Sequence, residues 1–290
     1  MNTSRQKSKA RTAAAPEAAG GGAERGSEKD DFARFRDDRD FVTALARGLA
    51  VIHAFTNQAR QLSISQISYR TGITRAAVRR YLYTLTALGY ARCQEGGRYS
   101  LTPKAVTLGN AYLSGMPLGG QAQPILDELA ETVGEACSMA VLDGTEIVYL
   151  MRASSSRIMS PSLNVGSRLP AYATSIGHIL LAHLPEAELA SYFAQARFLP
   201  FTANTIVTEA GLRRAFETIR EEGYAIADQQ MEVGLSSIAV PVVDRDGNVI
   251  SGINVIANSA RITLAQLRSR FLQPLRDAAK RLAELKIARS

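Results

Sequence analysis

The chain is 290 residues long, 46% hydrophobic and 21% charged, with a formal net charge of +7 and two cysteines; that length allows two domains with separate cores, and the composition is that of an ordinary globular protein. No stretch approaches the roughly 18 consecutive apolar residues of a membrane span, and the polar start has no signal-peptide core, so no membrane contact and a cytoplasmic location are expected. Cys93 and Cys137 stand far apart without histidines at metal spacing, which argues against a disulfide framework or a metal site and leaves them as small hydrophobes.

Residues 1–40 mix Ala, Gly, Ser and nearly balanced charge, with a triple glycine at 20–22, and are expected to form a disordered N-terminal tail. Its Arg5, Lys7, Lys9 and Arg11 fit a solubilising extension better than a phosphate contact. At residue 41 the pattern changes. Leu45, Leu49, Ile52 and Phe55 fall on one helical face, predicting a helix that packs beneath the next two helices.

Residues 62–90 read as those two short helices, joined by a tight turn. Ser63 or Ser65 can cap the first, Ile64, Ile67 and Tyr69 supply its apolar contacts, and Gly72 gives the backbone freedom that ends it. The second starts at Thr74. Val78, Leu82 and Leu85 recur at the spacing of a buried stripe, while Ala76, Arg79, Arg80 and Tyr83 project from the other side. Gly89 ends that helix, and 90–101 has the composition of a hairpin around Glu95-Gly96-Gly97, a wing carrying Arg92 and Arg98. Residues 41–102 are thus predicted to form a winged helix-turn-helix domain.

Two arginines on an exposed helix are, taken alone, ordinary surface. Between Phe41 and Lys104, however, nine basic residues stand against the single acid Glu95, so this segment carries +8 where the whole chain carries +7. Positive charge gathered into one small module is the footprint of phosphate contact, and double-stranded operator or promoter DNA is the expected partner. The candidate DNA-binding residues are Ser65, Thr74, Arg75, Ala76, Arg79, Arg80 and Tyr83 on the helices, with Arg92 and Arg98 on the wing. The wing arginines are suited to positioning the backbone rather than to reading bases.

Thr102-Pro103 reads as the N-cap and first-turn proline of a linker helix over 103–120, in which Val106, Gly109, Leu113 and Met116 make a narrow seam suited to another subunit. The run 117–120 breaks it, and 121–290 is expected to be an effector-binding and oligomerisation domain. A helix over 124–135 presents Ile125, Leu129 and Val133, and strands over 137–142 and 146–151 flank Asp143-Gly144. Helices come next over 173–184 and 212–222, the latter closed by Gly223. Strands over 237–243 and 249–257 flank Asp246-Gly247, the clearest hairpin signal in the chain. A last helix carries Leu264, Leu267, Phe271, Leu275 and Leu282, with Pro274 as a kink or new start. Strand pairs alternating with helices predict an α+β domain with a mainly antiparallel sheet.

The stretches FVTALARGLAVIHAF at 41–55, TRAAVRRYLYTL at 74–85, RLPAYATSIGHILLA at 168–182 and GLSSIAVPV at 234–242 resemble the IclR family of bacterial transcription regulators. The likeness covers nearly everything after residue 41, and its wording is similar to the branch that governs aromatic-acid catabolism through the β-ketoadipate and protocatechuate pathway. It implies a winged helix-turn-helix, a linker helix and a GAF-like effector domain, acting on DNA as a homodimer or homotetramer without a cofactor. It also implies a small carboxylate effector such as β-ketoadipate, protocatechuate or 4-hydroxybenzoate. The chain departs from the family pattern at Ser236, where an arginine is expected, and at His178, where a basic residue often succeeds the glycine.

A carboxylate needs donors that survive desolvation, and a helix opening at Thr174, Ser175, Ile176 and Gly177 offers unpaired amides and a favourable dipole. Ser236, Ser237 and Asn254 from the later strands, with Asp228 beside them and Arg152 at the end of an earlier strand, complete the candidate effector-binding set. The same residues could instead cap a helix and satisfy strand edges. Tyr149, Met151, Met159, Tyr172 and Met231 could line an apolar slot or belong to the core. His178 and His183 are five apart on a helix, on different faces, and so make no metal pair. The alternative of an enzyme with an accessory nucleic-acid module finds no phosphate loop, nucleophile elbow or metal-ligand cluster in the sequence, and no catalytic residue is proposed.

Overall fold

The computed structural model describes residues 35, 38–56, 59–115, 121–154 and 163–285. Most of the expected tail, the Leu113 side chain, Met116, the break at 117–120 and Met159 lie outside the described residues. The chain divides into two compact units between Thr107 and Leu108.

The first unit is set by its caps. It comprises α1 (Thr43–His53), β1 (Leu62–Ser63), α2 (Ile64–Thr71), α3 (Arg75–Ala87), β2 (Ala91–Gln94) and β3 (Arg98–Leu101). Ser63 opens α2 with a capping box: its hydroxyl accepts from the Gln66 N–H at 3.3 Å, and the Gln66 side chain accepts from the Ser63 N–H at 2.9 Å. Gly72 turns left-handed at φ 68° to end that helix, and the Thr74 hydroxyl accepts from Ala77 N–H to start α3. Val78, Leu82 and Leu85 are buried against Ile67, Ile73 and Val51 as one core. The β2–β3 hairpin turns at Gly96 and Gly97, and the two-residue β1, too short to read from sequence, adds beside β3.

Two expectations for this core are corrected. Leu45 and Leu49 are 63% and 44% exposed; α1 instead buries Val51, its C-cap Ala54 is buried too, and Ile52 and Phe55 pack only partly. The face that joins the core carries Val51 and Ala54 rather than the larger leucines, so hydrophobicity alone marks the wrong side. Tyr69 is 91% exposed rather than in contact with the core. Thr71 takes the buried place one turn after Ile67 and donates to the Ile67 carbonyl at 2.8 Å. Beyond the wing, Thr102 caps a short 3-10 turn (Pro103–Ala105) that runs into α4 (Val106–Gly115).

The second unit comprises α5 (Ala122–Val133), β4 (Ala136–Asp143), β5 (Glu146–Ala153), β6 (Arg168–Pro170), α6 (Ser175–Ala182), α7 (Glu186–Gln195) and α8 (Glu209–Glu222). After these come β7 (Ala225–Asp228), β8 (Leu235–Val243), β9 (Val249–Asn258), α9 (Leu264–Gln266), a π turn (Leu267–Phe271) and α10 (Leu272–Leu285). The six strands form one sheet in the order β6-β5-β4-β9-β8-β7, with every neighbouring pair antiparallel. Alternation along the strands builds two cores. Cys137, Met139, Ile238, Val240, Ile253 and Val255 face α5 and α10, whereas Ala140, Ile147 and Ala239 face α6 and α8.

Strands β6 and β7 and helix α7 are additions to the expected pattern. Leu264 is 42% exposed, although its spacing puts it on one stripe with Leu267, Phe271, Leu275 and Leu282, which are buried. The π turn inserts a residue just after it and rotates the next face toward the sheet. A bulge between Met139 and Ala140 leaves Leu150 as the extra residue on β5, so Met151 lies opposite Met139 and Tyr149 opposite Ala140. Met151 therefore belongs to the α5 side, away from Tyr149, Tyr172 and Met231 on the α6 side.

Candidate functional site

On the first unit, the exposed side of α3 carries Arg75, Ala76, Arg79, Arg80 and Tyr83 at helical positions 0, 1, 4, 5 and 8, the spacing of one continuous face. Tyr83 is 76% exposed. Thr74, at the N-cap, stands at the leading edge of this face, and Ser65 is exposed near the start of α2. The wing is less free than its charge suggests, because Arg92 donates through Nε to the Ser100 hydroxyl at 3.2 Å. Arg98 lies exposed beside Ser65, Gln66, Tyr69 and Arg70 in an open cleft between α2 and the wing. Two more of the nine cations are tied to the fold: Arg70 Nη1 donates to the Ala54 carbonyl at 2.7 Å, and Lys104 Nζ donates to the Leu88 carbonyl at 2.9 Å. Their charge still adds to the field, but the heads are not free to seek phosphate.

On the second unit, the start of α6 meets the middle of the sheet. Thr174 caps α6 by accepting from Gly177 N–H at 3.1 Å, which leaves the amides of Ser175 and Ile176 ahead of the first helical bond. Gly177 is there for space: a Cβ would stand 2.0 Å from the Ala171 carbonyl oxygen. Ile176 turns its side chain onto Gly252, where a Cβ would come within 2.8 Å of it. Ser175 Oγ accepts from Ser237 Oγ at 2.8 Å and from Asn254 Nδ2 at 3.4 Å. Asn254 Oδ1 is buried with no partner among the described residues.

Ser138 is not among the residues that the sequence singles out. It is fully buried, its hydroxyl has no partner among the described residues, and it lies opposite Asn254 on β9 and Arg152 on β5. A lone hydroxyl inside the apolar run of β4 was the available signal. Arg152 donates through Nη1 to the Leu163 carbonyl at 2.6 Å, and burial lowers its pKa, with Tyr149 opposing that shift. Arg152, Ser138 and Asn254 thus form a polar row across three strands, continued by Ser175 and Ser237.

Asp228 and Ser236 are not brought to this row. Ser236 immediately precedes Ser237 on an extended strand and so points to the opposite face, where its hydroxyl donates to Asp228 Oδ1 at 2.7 Å. These two candidates satisfy one another on the α5 side.

His178, one turn into α6, is fully buried, and its ring bonds to the Tyr172 carbonyl through Nε2 at 2.7 Å. A carbonyl only accepts, so Nε2 carries a proton, and burial disfavours the second proton that would charge the ring. Burial holds its pKa below the ordinary 6.5, partly offset by that bond. The unfolded chain therefore takes up the proton first as pH falls. The neutral ring's contribution is complete above the unfolded value and is lost as pH falls from there through the lower folded value, with a slope of at most about 1.4 kcal/mol per pH unit. Urea midpoints are expected to be flat near neutrality and to fall toward pH 5, and His178→Asn is expected to shallow that fall. An unchanged slope in the variant would assign the acid sensitivity to other groups.

Comparison with known proteins gives the same division. The model of the IclR helix-turn-helix domain matches residues 44–95, and that of the bacterial transcriptional regulator IclR C-terminal region matches residues 110–284. The chain is 46% identical over 249 residues to the Pca regulon regulatory protein of Pseudomonas putida, covering 86% of this chain and 85% of that one. It is 33% identical over 251 residues to the p-hydroxybenzoate hydroxylase transcriptional activator of Acinetobacter baylyi, covering 85% and 92% respectively. A solved transcriptional regulator from Rhodococcus sp. RHA1 superposes with a TM-score of 0.76 at 38% identity, over 86% of this chain and all of that one.

Proposed function

The chain belongs to the IclR family of bacterial transcriptional regulators, and we propose that it controls aromatic-acid catabolic genes by binding promoter DNA under the command of a small carboxylate. The first unit holds DNA, with α3 in the major groove and the wing on the backbone. The second holds the acid, with β-ketoadipate, protocatechuate and 4-hydroxybenzoate as candidate effectors. Two or four copies, in the cytoplasm, would present paired α3 helices to a two-fold operator. Helix α4 is the covalent connection between the units. Control requires the acid to bind two arrangements of the assembly with different affinity.

The observation that carries the effector reading is the buried hydroxyl and amide cluster of Ser175, Ser237 and Asn254 at the opening of α6, with Asn254 Oδ1 left unmet. Ser175 Oγ accepts twice, so its own hydrogen is left to donate beside the unpaired amides of α6, and that donor set fits a bound carboxylate better than a structural cap, while the unmet Asn254 Oδ1 calls for a donor from another part of the ligand. Helix geometry and serine donors can hold a carboxylate without a fully buried cation.

Calorimetry of the full chain against those three acids tests it. At least one is expected to bind, and Ser237→Ala is expected to weaken that binding about 5- to 30-fold through the loss of the hydrogen bond that orients the Ser175 hydroxyl. No heat and no thermal stabilisation with any of the three would leave the second unit as an oligomerisation module and defeat the proposal.

A further inference from the structure

We infer that the second unit selects acids that carry a hydroxyl group, and that Ser138 is a specificity-determining residue for this choice; the inference rests on the effector reading above. Two polar atoms in the α6-side row lack partners among the described residues, Ser138 Oγ and Asn254 Oδ1, and both side chains are more than nine-tenths buried. They are neighbours, since Ser138 and Asn254 stand directly opposite one another in the β4–β9 pairing. Among the described strand residues on this face of the sheet no other side chain is so left, although Tyr192 Oη, from α7 in the same core, also has no partner. On either side of Ser138 the strand carries Cys137 and Met139, both in the α5-side core.

The two atoms ask for different things. An amide oxygen accepts only, and the Asn254 amide nitrogen commits one of its two hydrogens to Ser175 Oγ. A serine hydroxyl can donate or accept. The ligand group that meets both at once is itself a hydroxyl: it donates to Asn254 Oδ1 and accepts from Ser138 Oγ–H. A keto or carboxylate oxygen can accept from Ser138 but has no hydrogen for Asn254, and a C–H in the same place meets neither atom. Binding such an acid leaves a buried acceptor unpaired, which is how a site built for a hydroxyl rejects the analogue that lacks it.

The carboxylate end is separately provided for. Ser175 Oγ accepts from both Ser237 and Asn254, so its own hydrogen remains to be donated, beside the free amides at the start of α6. Donors for an anion and a mixed donor–acceptor pair for a hydroxyl are therefore adjacent on one face of the sheet, and a hydroxy acid is the class that uses both.

The test compares matched probes on the full chain by calorimetry: 4-hydroxybenzoate against benzoate, which differ only in the hydroxyl, and adipate as an acceptor-only diacid. The wild type is expected to bind 4-hydroxybenzoate on the order of tenfold or more tighter than benzoate or adipate. Ser138→Ala is expected to shrink the hydroxybenzoate-to-benzoate ratio several-fold, and Ser138→Thr, which keeps the hydroxyl, to retain it. Benzoate or adipate binding as tightly as 4-hydroxybenzoate to the wild type would overturn this inference while leaving the effector reading intact. An unchanged ratio in Ser138→Ala would overturn the role of Ser138. Silence with every acid, including protocatechuate and β-ketoadipate, would overturn both.

Discussion

Replacing Arg79 and Arg80 together with alanine is expected to weaken operator binding by about a hundredfold or more, because two guanidinium contacts at about 1–3 kcal/mol each are lost from the centre of the reading face. The chain should remain folded. Both side chains are exposed, they sit on the far side of α3 from Val78, Leu82 and Leu85, and Glu95 is the one acid between Phe41 and Lys104, so little native structure depends on them. The salt dependence separates two kinds of contact. If both arginines hold phosphates, the slope of log affinity against log salt falls by about 2. If they read bases, the slope changes less and discrimination between operator and unrelated DNA collapses instead. Unchanged affinity in gel shift would remove α3 from the groove.

Gly177→Ala is expected to cost the second unit about 3 kcal/mol or more, and the variant should lose its urea transition or shift it far to low denaturant. The added Cβ would lie 2.0 Å from the Ala171 carbonyl oxygen and 2.5 Å from the Ala171 carbonyl carbon. Those are backbone atoms, held by the turn that delivers Thr174 and Ser175 to the sheet, and they cannot swing aside as a side chain would. Gly109→Ala in α4 is the control, since nothing stands within 4 Å of a Cβ there. A midpoint for Gly177→Ala equal to that of the control would mean that α6 is not seated as closely as the structure has it. The same close approach sets the Ser175, Ser237 and Asn254 cluster, because moving α6 outward separates Ser175 from the other two.

Much of the first unit was legible because its signals are local. Ser63, Gly72 and Thr74 act within a few residues of themselves, and the Val78, Leu82 and Leu85 stripe needs only the helical repeat. The face of α1 was not legible, since which of two apolar stripes goes inward is settled by contacts with residues distant in sequence, such as Ile67, Val78 and Leu82. Leu45 and Leu49 are larger than Val51 and Ala54, yet it is the smaller pair that fits. In the second unit the Asp246-Gly247 hairpin and the start of α6 were readable. Partnership across strands was not: that Ser138 lies beside Asn254 and Arg152 depends on register between segments far apart in sequence.

One correction was available from sequence alone. Ser236 and Ser237 are consecutive in a predicted strand, and consecutive strand residues face opposite ways, so both could not line one pocket. Ser237 goes to Ser175, and Ser236 is left to Asp228. The arginine expected at Ser236 would therefore have stood on the α5 side, away from the polar row. Met151 is a different case, because the bulge that turns it to the α5 side has no marker in the sequence.

The most direct measurement is a titration of promoter DNA with the full chain at several salt concentrations, with and without an acid that gives heat in calorimetry. Binding should be tight at low salt, should fall linearly on logarithmic axes as salt rises, and should shift by a constant factor at each salt concentration when the acid is added. DNA affinity that is negligible at low salt, or that the bound acid leaves unaltered, would contradict a basic reading unit governed by an acid-binding one.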